Sequence, residues 1–90
     1  MITRTVIVGT TLGLHARPAA LFAQAVLESG IDIVMRHGDQ EVEANSPLSI
    51  MTLGVRGGDE VTIATADDSA EETMDDLAAM LSRDLDTDRS

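Results

Sequence analysis

The sequence of 90 residues contains no cysteine, no tryptophan and no tyrosine, and its single aromatic residue is Phe22. Without cysteine there is no disulfide framework and no thiolate chemistry. Without aromatic rings there is no platform for stacking nucleobases. Lysine is missing too. All six basic residues are arginine, set against sixteen acidic ones, for a formal charge of −10. Such a chain repels phosphate backbones, which argues against nucleic acid as a partner. No long apolar run occurs, so neither a signal peptide nor membrane insertion is expected. Together with the lack of cysteine, this predicts the cytoplasm. The two histidines, His15 and His37, lie far apart in the chain and give no metal-ligand spacing.

What is present suffices for a folded unit. Apolar residues make up 43% of the chain, enough for a packed core, and the length predicts one domain over 1–90. The acidic surface reads as a solvated, soluble exterior. It also fits adaptation to concentrated salt, a halophilic character, because screening contracts to ~3 Å at 1 M and self-repulsion matters less.

Periodicity orders the elements. ITRTVIV, continuing to Val8, predicts a strand over 2–8 with Val6 and Val8 facing inward. Ala19, Phe22, Ala23 and Val26 fall at i, i+3, i+4, i+7 and predict a helix over 16–28, stopped at Ser29-Gly30. Strands follow at 31–36 and 41–44 around the turn HGDQ, where His37 is expected as a solvated turn residue. Ser46 reads as an N-cap, with Pro47 opening a short helix that Gly54 ends. EVTIATA predicts a strand over 60–66. Ser69 and Glu72 have capping-box spacing ahead of a stripe at Met74, Leu77, Ala78 and Leu81, extended to Leu85, with a fraying tail. The order is β-α-β-β-α-β-α, an α+β class: an antiparallel sheet with helices on one face and water on the other.

The chemistry concentrates in GLHARPAALF, residues 13–22. With the helix beginning at Ala16, His15 is its N-cap, and Arg17 and Pro18 lie in the first turn, where proline is tolerated. The first N–H groups of a helix have no internal partners and form the positive end of its dipole. That end disfavours an imidazolium, as in the handedness of charge seen at other helix-terminal histidines, and leaves a lone pair able to act as a nucleophile. A phosphoryl group on that nitrogen would then face the helix amides, with the planar fork of Arg17 adding charge-assisted hydrogen bonds. An ordinary surface His–Arg pair fits the same spacing, which alone leaves both open. Beyond the core stripe, Ala16, Ala20, Gln24 and Leu27 share a helix face. Pro47, Leu48 and Met51 are left over on the short helix. Side by side these would form an apolar docking patch near His15. Met51 fits docking and core equally, and Leu21 is expected in the core.

GLHARPAALF resembles the active-site signature of the HPr family, the histidine-containing phosphocarrier proteins of the sugar phosphotransferase system. NS…IMTLGV (45–55), GDEVTI (58–63), the element order and the length extend the likeness across nearly the whole chain. The resemblance implies an open-faced β-sandwich, a four-stranded antiparallel sheet with three helices on one face. It implies that His15 takes a phosphoryl group on Nδ1 from phospho-enzyme I and passes it to a histidine of a sugar-specific IIA protein or domain, with Arg17 stabilising the group. It implies a carrier and not an enzyme, no cofactor and a monomer, since the docking patch must serve two partners in turn. Ser46 matches in position the serine that a dedicated HPr kinase phosphorylates in some bacteria. Here Pro47 follows where that pattern has a bulky aliphatic residue, and an N-cap role explains Ser46 without a kinase. An HPr-like regulatory module, or a carrier for nitrogen regulation or a dihydroxyacetone kinase, are the alternatives to sugar uptake. A small ferredoxin-like ligand- or metal-binding domain is a further one.

Overall fold

Four short segments of alternating polarity build one antiparallel sheet in the order β1-β4-β2-β3, with β1 Ile2–Ile7, β2 Val34–His37, β3 Gln40–Glu43 and β4 Glu60–Thr65. Three helices, α1 Ala16–Ser29, α2 Pro47–Thr52 and α3 Glu71–Ser82, complete the order β-α-β-β-α-β-α. The computed structural model describes residues 1–83. The expected extension of the last stripe to Leu85, and the tail, lie outside the described residues.

The period of two divides the sheet. One face presents Ile2, Val61, Ile63 and Met35, all buried, to α1 and α3. The other turns Thr3, Thr5, Arg36, Glu41 and Glu43 to water. There the polar groups pair across strands: the Thr5 and Thr62 hydroxyls lie 2.8 Å apart, and Arg36 donates to the Glu41 carboxylate at 3.0 Å. Such cross-strand pairs replace a second layer of helices.

The helix stripes match expectation. Ala19, Phe22, Ala23 and Val26 are buried on α1, and Met74, Leu77, Ala78 and Leu81 on α3. Phe22 is fully buried. Gly30 stops α1 in the left-handed conformation, its N–H on the Leu27 carbonyl at 3.2 Å. Val8 lies beyond the end of β1 yet is buried, its N–H on the Asp59 carbonyl at 2.9 Å, while Val6 is half-buried against the core.

Three expectations need correction. The second strand begins at Val34 and not at residue 31. The Ser29 hydroxyl takes the Ile31 N–H at 3.3 Å, so the chain leaves α1 through a side-chain-held bend before it can enter the sheet. The capping box at α3 does not form. The N-cap is Ala70, with no side-chain bond, and Ser69 instead donates through both N–H and hydroxyl to the Asp67 carboxylate, at 2.9 and 2.6 Å. Those hydrogen bonds, the hydroxyl's first, hold the Asp67 carboxyl below its ordinary value. Third, His37 is no solvated turn residue. It is the last residue of β2 and half-buried, its Nδ1 3.0 Å from the Leu53 carbonyl at the end of α2 and its Nε2 3.1 Å from Asp59. The turn consists of Gly38 and Asp39, with His37 paired to Gln40.

Asp59 gathers this corner. Its Oδ2 accepts the Arg56 N–H at 3.0 Å as well as the His37 ring. Its carboxyl is held below its ordinary value by the Arg56 N–H first, then by His37, against an opposing desolvation.

Two further loops, residues 8–14 and 54–58, run against each other along a backbone seam. Leu14 N–H reaches the Val55 carbonyl at 3.0 Å, and Gly58 N–H the Val8 carbonyl at 2.9 Å. A Cβ on Gly57 would lie 2.3 Å from the Thr11 carbonyl oxygen and 2.5 Å from that of Thr10. One on Gly13 (φ +84°) would lie 2.2 Å from the Val55 carbonyl oxygen. Only glycine permits this approach.

Gly57→Ala, although at an exposed position, is therefore expected to cost roughly 1–3 kcal/mol, as overpacking does. Urea unfolding checks this, and a loss under about 0.5 kcal/mol, the ordinary surface value, would show that the seam can yield. Asp59 has a lowered folded pKa, so its contribution is complete above the ordinary carboxylate value of about 3.9 and is lost as pH falls through the folded value. Melting temperature should fall in acid for the wild type. Asp59→Asn should start lower at neutral pH and fall less steeply, with Asp67 supplying the remaining slope. Parallel curves for the two proteins would contradict the assignment.

Candidate functional site

The seam decides where α1 starts. On its other flank the 9–14 loop is tied to the end of α3: Gly9 N–H donates to the Leu81 carbonyl at 3.0 Å, and the buried Thr10 hydroxyl to the Arg83 carbonyl at 3.3 Å. Gly13 N–H closes a turn onto the Thr10 carbonyl at 2.9 Å, and Leu14 is buried. The chain arrives at His15 with its backbone already fixed on both sides.

His15 is the N-cap of α1, in extended conformation (φ −81°, ψ −167°), and its carbonyl accepts the Ala19 N–H at 2.9 Å. Its side chain is exposed and makes no capping bond to its own helix. Of the first-turn amides, Pro18 has none and Ala19 is already bonded. The N–H groups of Ala16 and Arg17, which have no partner among the described residues, are the two left for an outside acceptor, at the positive end of the dipole. No acidic residue occupies this first turn. Arg17 is exposed and forms no ion pair with a described residue. This arrangement suits an anion carried beside the imidazole.

The expected docking residues lie along α1 and α2. Ala16, Ala20, Gln24 and Leu27 are exposed along α1, with Leu27 at 56%. Gln24 donates to Glu28 at 3.2 Å. On α2, which packs against α1, Leu48 is 70% exposed, while Pro47 and Met51 are half-buried. Met51 also rests on the core, which fits both of its expected roles. Leu21 is a correction. It is 43% exposed, because Phe22 and Ala23 already fill the space under that turn. Leu12 was not anticipated. It is 73% exposed in the loop before His15, and its signal was an apolar residue in a loop that no stripe claims. Ser46 has a structural role as N-cap of α2, accepting the Ser49 N–H at 3.3 Å.

Charge also separates by position. None of the sixteen acids lies in residues 1–27 or 44–58, the stretches that form the loop seam, α2 and all of α1 up to Leu27. Acid and arginine meet away from α1 and α2: Arg4, on β1, donates to Asp75 at 2.7 Å with Glu71 nearby, and Arg36 to Glu41. A surface cavity of about 480 Å³ on the open sheet face, lined by Val34, Arg36, Glu41, Glu43 and Ala64 among others, shares no residue with the His15 patch. Among the described residues no group of three His, Asp or Glu is placed to hold a metal ion, and no helix is long and apolar enough to cross a membrane.

Comparison with known proteins agrees with this geometry. Residues 2–83 match the family model described as PTS HPr component phosphorylation site. The phosphocarrier protein HPr of Streptomyces coelicolor is 36% identical over 86 residues, covering 94% of this chain and 92% of that protein. The HPr-like protein Crh of Bacillus subtilis is 33% identical over 85 residues, covering 94% and 100%. Among solved structures, a phosphocarrier protein HPr from Bacillus anthracis superposes with a TM-score of 0.82 at 38% identity, covering 89% of this chain and 95% of that one. With its sheet order, its helix-opening histidine and its full-length likeness to phosphocarrier proteins, the chain belongs to the HPr family.

Proposed function

We propose that His15 is the phosphoryl acceptor of a phosphotransferase-system carrier, loaded by phospho-enzyme I and unloaded onto a histidine of a sugar-specific IIA protein or domain, over a single domain in the cytoplasm. In loading, a bond from Nδ1 to phosphorus forms as the enzyme I bond to phosphorus breaks, the electron pair returning to enzyme I; in unloading, the acceptor histidine's nitrogen bonds phosphorus as the Nδ1–phosphorus bond breaks, the electron pair returning to Nδ1. The Ala16 and Arg17 N–H groups and the Arg17 guanidinium take the negative charge of the arriving group. Both forms stay open to solvent, so the group can be handed on. The observation that carries this reading is an exposed histidine at the start of α1, beside two amides and an arginine that have no partner among the described residues, in a chain of the HPr family.

The patch of Ala16, Ala20, Gln24, Leu27, Pro47, Leu48 and Met51, with Leu12 and Leu21 added, serves both partners in turn. It is small and part polar, which suits contacts that must release quickly. A second reading, a regulatory module that transfers nothing, is favoured by the similarity to the HPr-like protein Crh. The histidine at position 15 weighs against it.

Incubation with enzyme I and labelled phosphoenolpyruvate should place acid-labile label on the wild type and none on His15→Ala. Arg17→Ala should take label about 10²-fold more slowly, the usual loss for one preorganised donor. Equal labelling of wild type and His15→Ala would refute the assignment, and an unlabelled wild type would favour the regulatory module.

A further inference from the structure

Four of the six arginines sort into two kinds. Arg4 and Arg36 are ion-paired across the sheet and helix surface, to Asp75 and Glu41. Arg17 and Arg56 are exposed and form no ion pair with a described residue. With acids so abundant, an unpaired arginine is set apart by position. Arg17 opens α1 and Arg56 lies in the loop against Gly13, whereas Arg4, also within 1–27, sits on β1 and reaches Asp75 on α3.

The backbone of Arg56 is held, while its side chain forms no ion pair with a described residue and acts on Asp59 only through space. Its N–H is bound by Asp59 and its carbonyl accepts the Asp59 N–H, both at 3.0 Å. The Asp59 carboxylate is in turn engaged by His37. On the other side the seam presses Arg56 against the loop that leads to His15: a Cβ on Gly13 would lie 2.6 Å from the Arg56 Cα. Gly13 is two residues from His15, a span of at most about 7 Å. A protein partner covering His15 with a footprint of ordinary size, about 800 Å², therefore covers Arg56 as well.

We propose that Arg56 is a partner-recognition residue, which with Arg17 gives the His15 face two cations that engage carboxylates on the docking surface of the phosphoryl-exchanging protein. The inference rests on the carrier reading. The occupant follows from charge complementarity: a face with two arginines, whose bordering carboxylates Glu28 and Asp59 are already engaged by Gln24 and by His37 and the Arg56 N–H, on a molecule of charge −10, attracts an acidic protein surface in one orientation and repels it in the others. Arg56 acts on the encounter and not on the reacting atoms. Removing it should change how readily the partner is found and leave the transfer step alone.

The test is steady-state phosphorylation by enzyme I charged with phosphoenolpyruvate, with the carrier as varied substrate, at low and high ionic strength. Arg56→Ala should raise KM about three- to tenfold at low salt, leave kcat near the wild-type value and flatten the salt dependence of kcat/KM. Arg56→Lys should retain most of the wild-type KM, and Arg56→Glu should exceed the alanine variant. Arg36→Ala changes net charge equally but lies on the open sheet face, so its KM should stay at the wild-type value. Melting temperatures of the Arg56 variants should match wild type, since the held groups are backbone. An unchanged KM in Arg56→Ala overturns the proposal while leaving the carrier reading intact. So does a rise matched by Arg36→Ala, which would make the effect one of net charge, and so does a fall in kcat at constant KM. A wild type that takes no label overturns both.

Discussion

The structure turns on a seam between two loops in which peptide meets peptide with no side chain between. Residues 8–14 and 54–58 approach so closely that glycine is required on each, Gly13 and Gly57, and the Leu14 and Gly58 amides bond across the gap. The α1 helix begins one residue past that anchorage. Its opening direction, and with it the position of the His15 backbone, is therefore inherited from a contact that is rigid because it is made of main chain. The His37–Asp59 tie braces the same 54–58 loop from behind through Leu53 and Arg56. What looks from the sequence like a ten-residue motif is held by parts of the chain about forty residues away.

Charge is distributed with the same division. Apart from Glu28 and Asp32, the acids occupy the later half of the chain and the strand hairpin, where they meet Arg4 and Arg36 or water. The face built by the seam, α1 and α2 is apolar with two arginines. In a molecule this acidic, a face bordered by two hydrogen-bonded carboxylates, Glu28 and Asp59, and otherwise clear of acids is a directional feature. It keeps like charge away from a bound anion and leaves exposed Leu12, Leu21, Leu27 and Leu48 for contact.

Local pattern made much of this legible. Both long helices showed their stripes, and Phe22 and Leu81 are buried as their spacing required. Pro47 and Ser46 marked α2, and His15 was readable as a helix N-cap from the residues after it. The misses share a cause, namely polar side chains choosing between equivalent partners. Ser69 had a carboxylate two residues back as well as a helix to cap, and the nearer, charge-assisted bond won. Ser29 bent the chain and delayed β2. His37 could be placed in a turn by its glycine neighbour, but its partners Leu53 and Asp59 come from later in the chain, beyond any window of periodicity. Leu21 and Leu12 were misjudged because burial depends on what else fills the layer, which spacing does not record. The clearing of acids from 1–27 and 44–58 was visible in the sequence, and gained meaning once the fold brought those stretches to one face.

The central claim is that the open end of α1 is built to hold an anion next to His15. It is tested most directly by recording backbone amide resonances before and after phosphorylation by enzyme I. The account predicts that the Ala16 and Arg17 amides, the two first-turn donors without a partner among the described residues, shift downfield more than any others in the chain. Full occupancy of His15 with those two signals unmoved would contradict it.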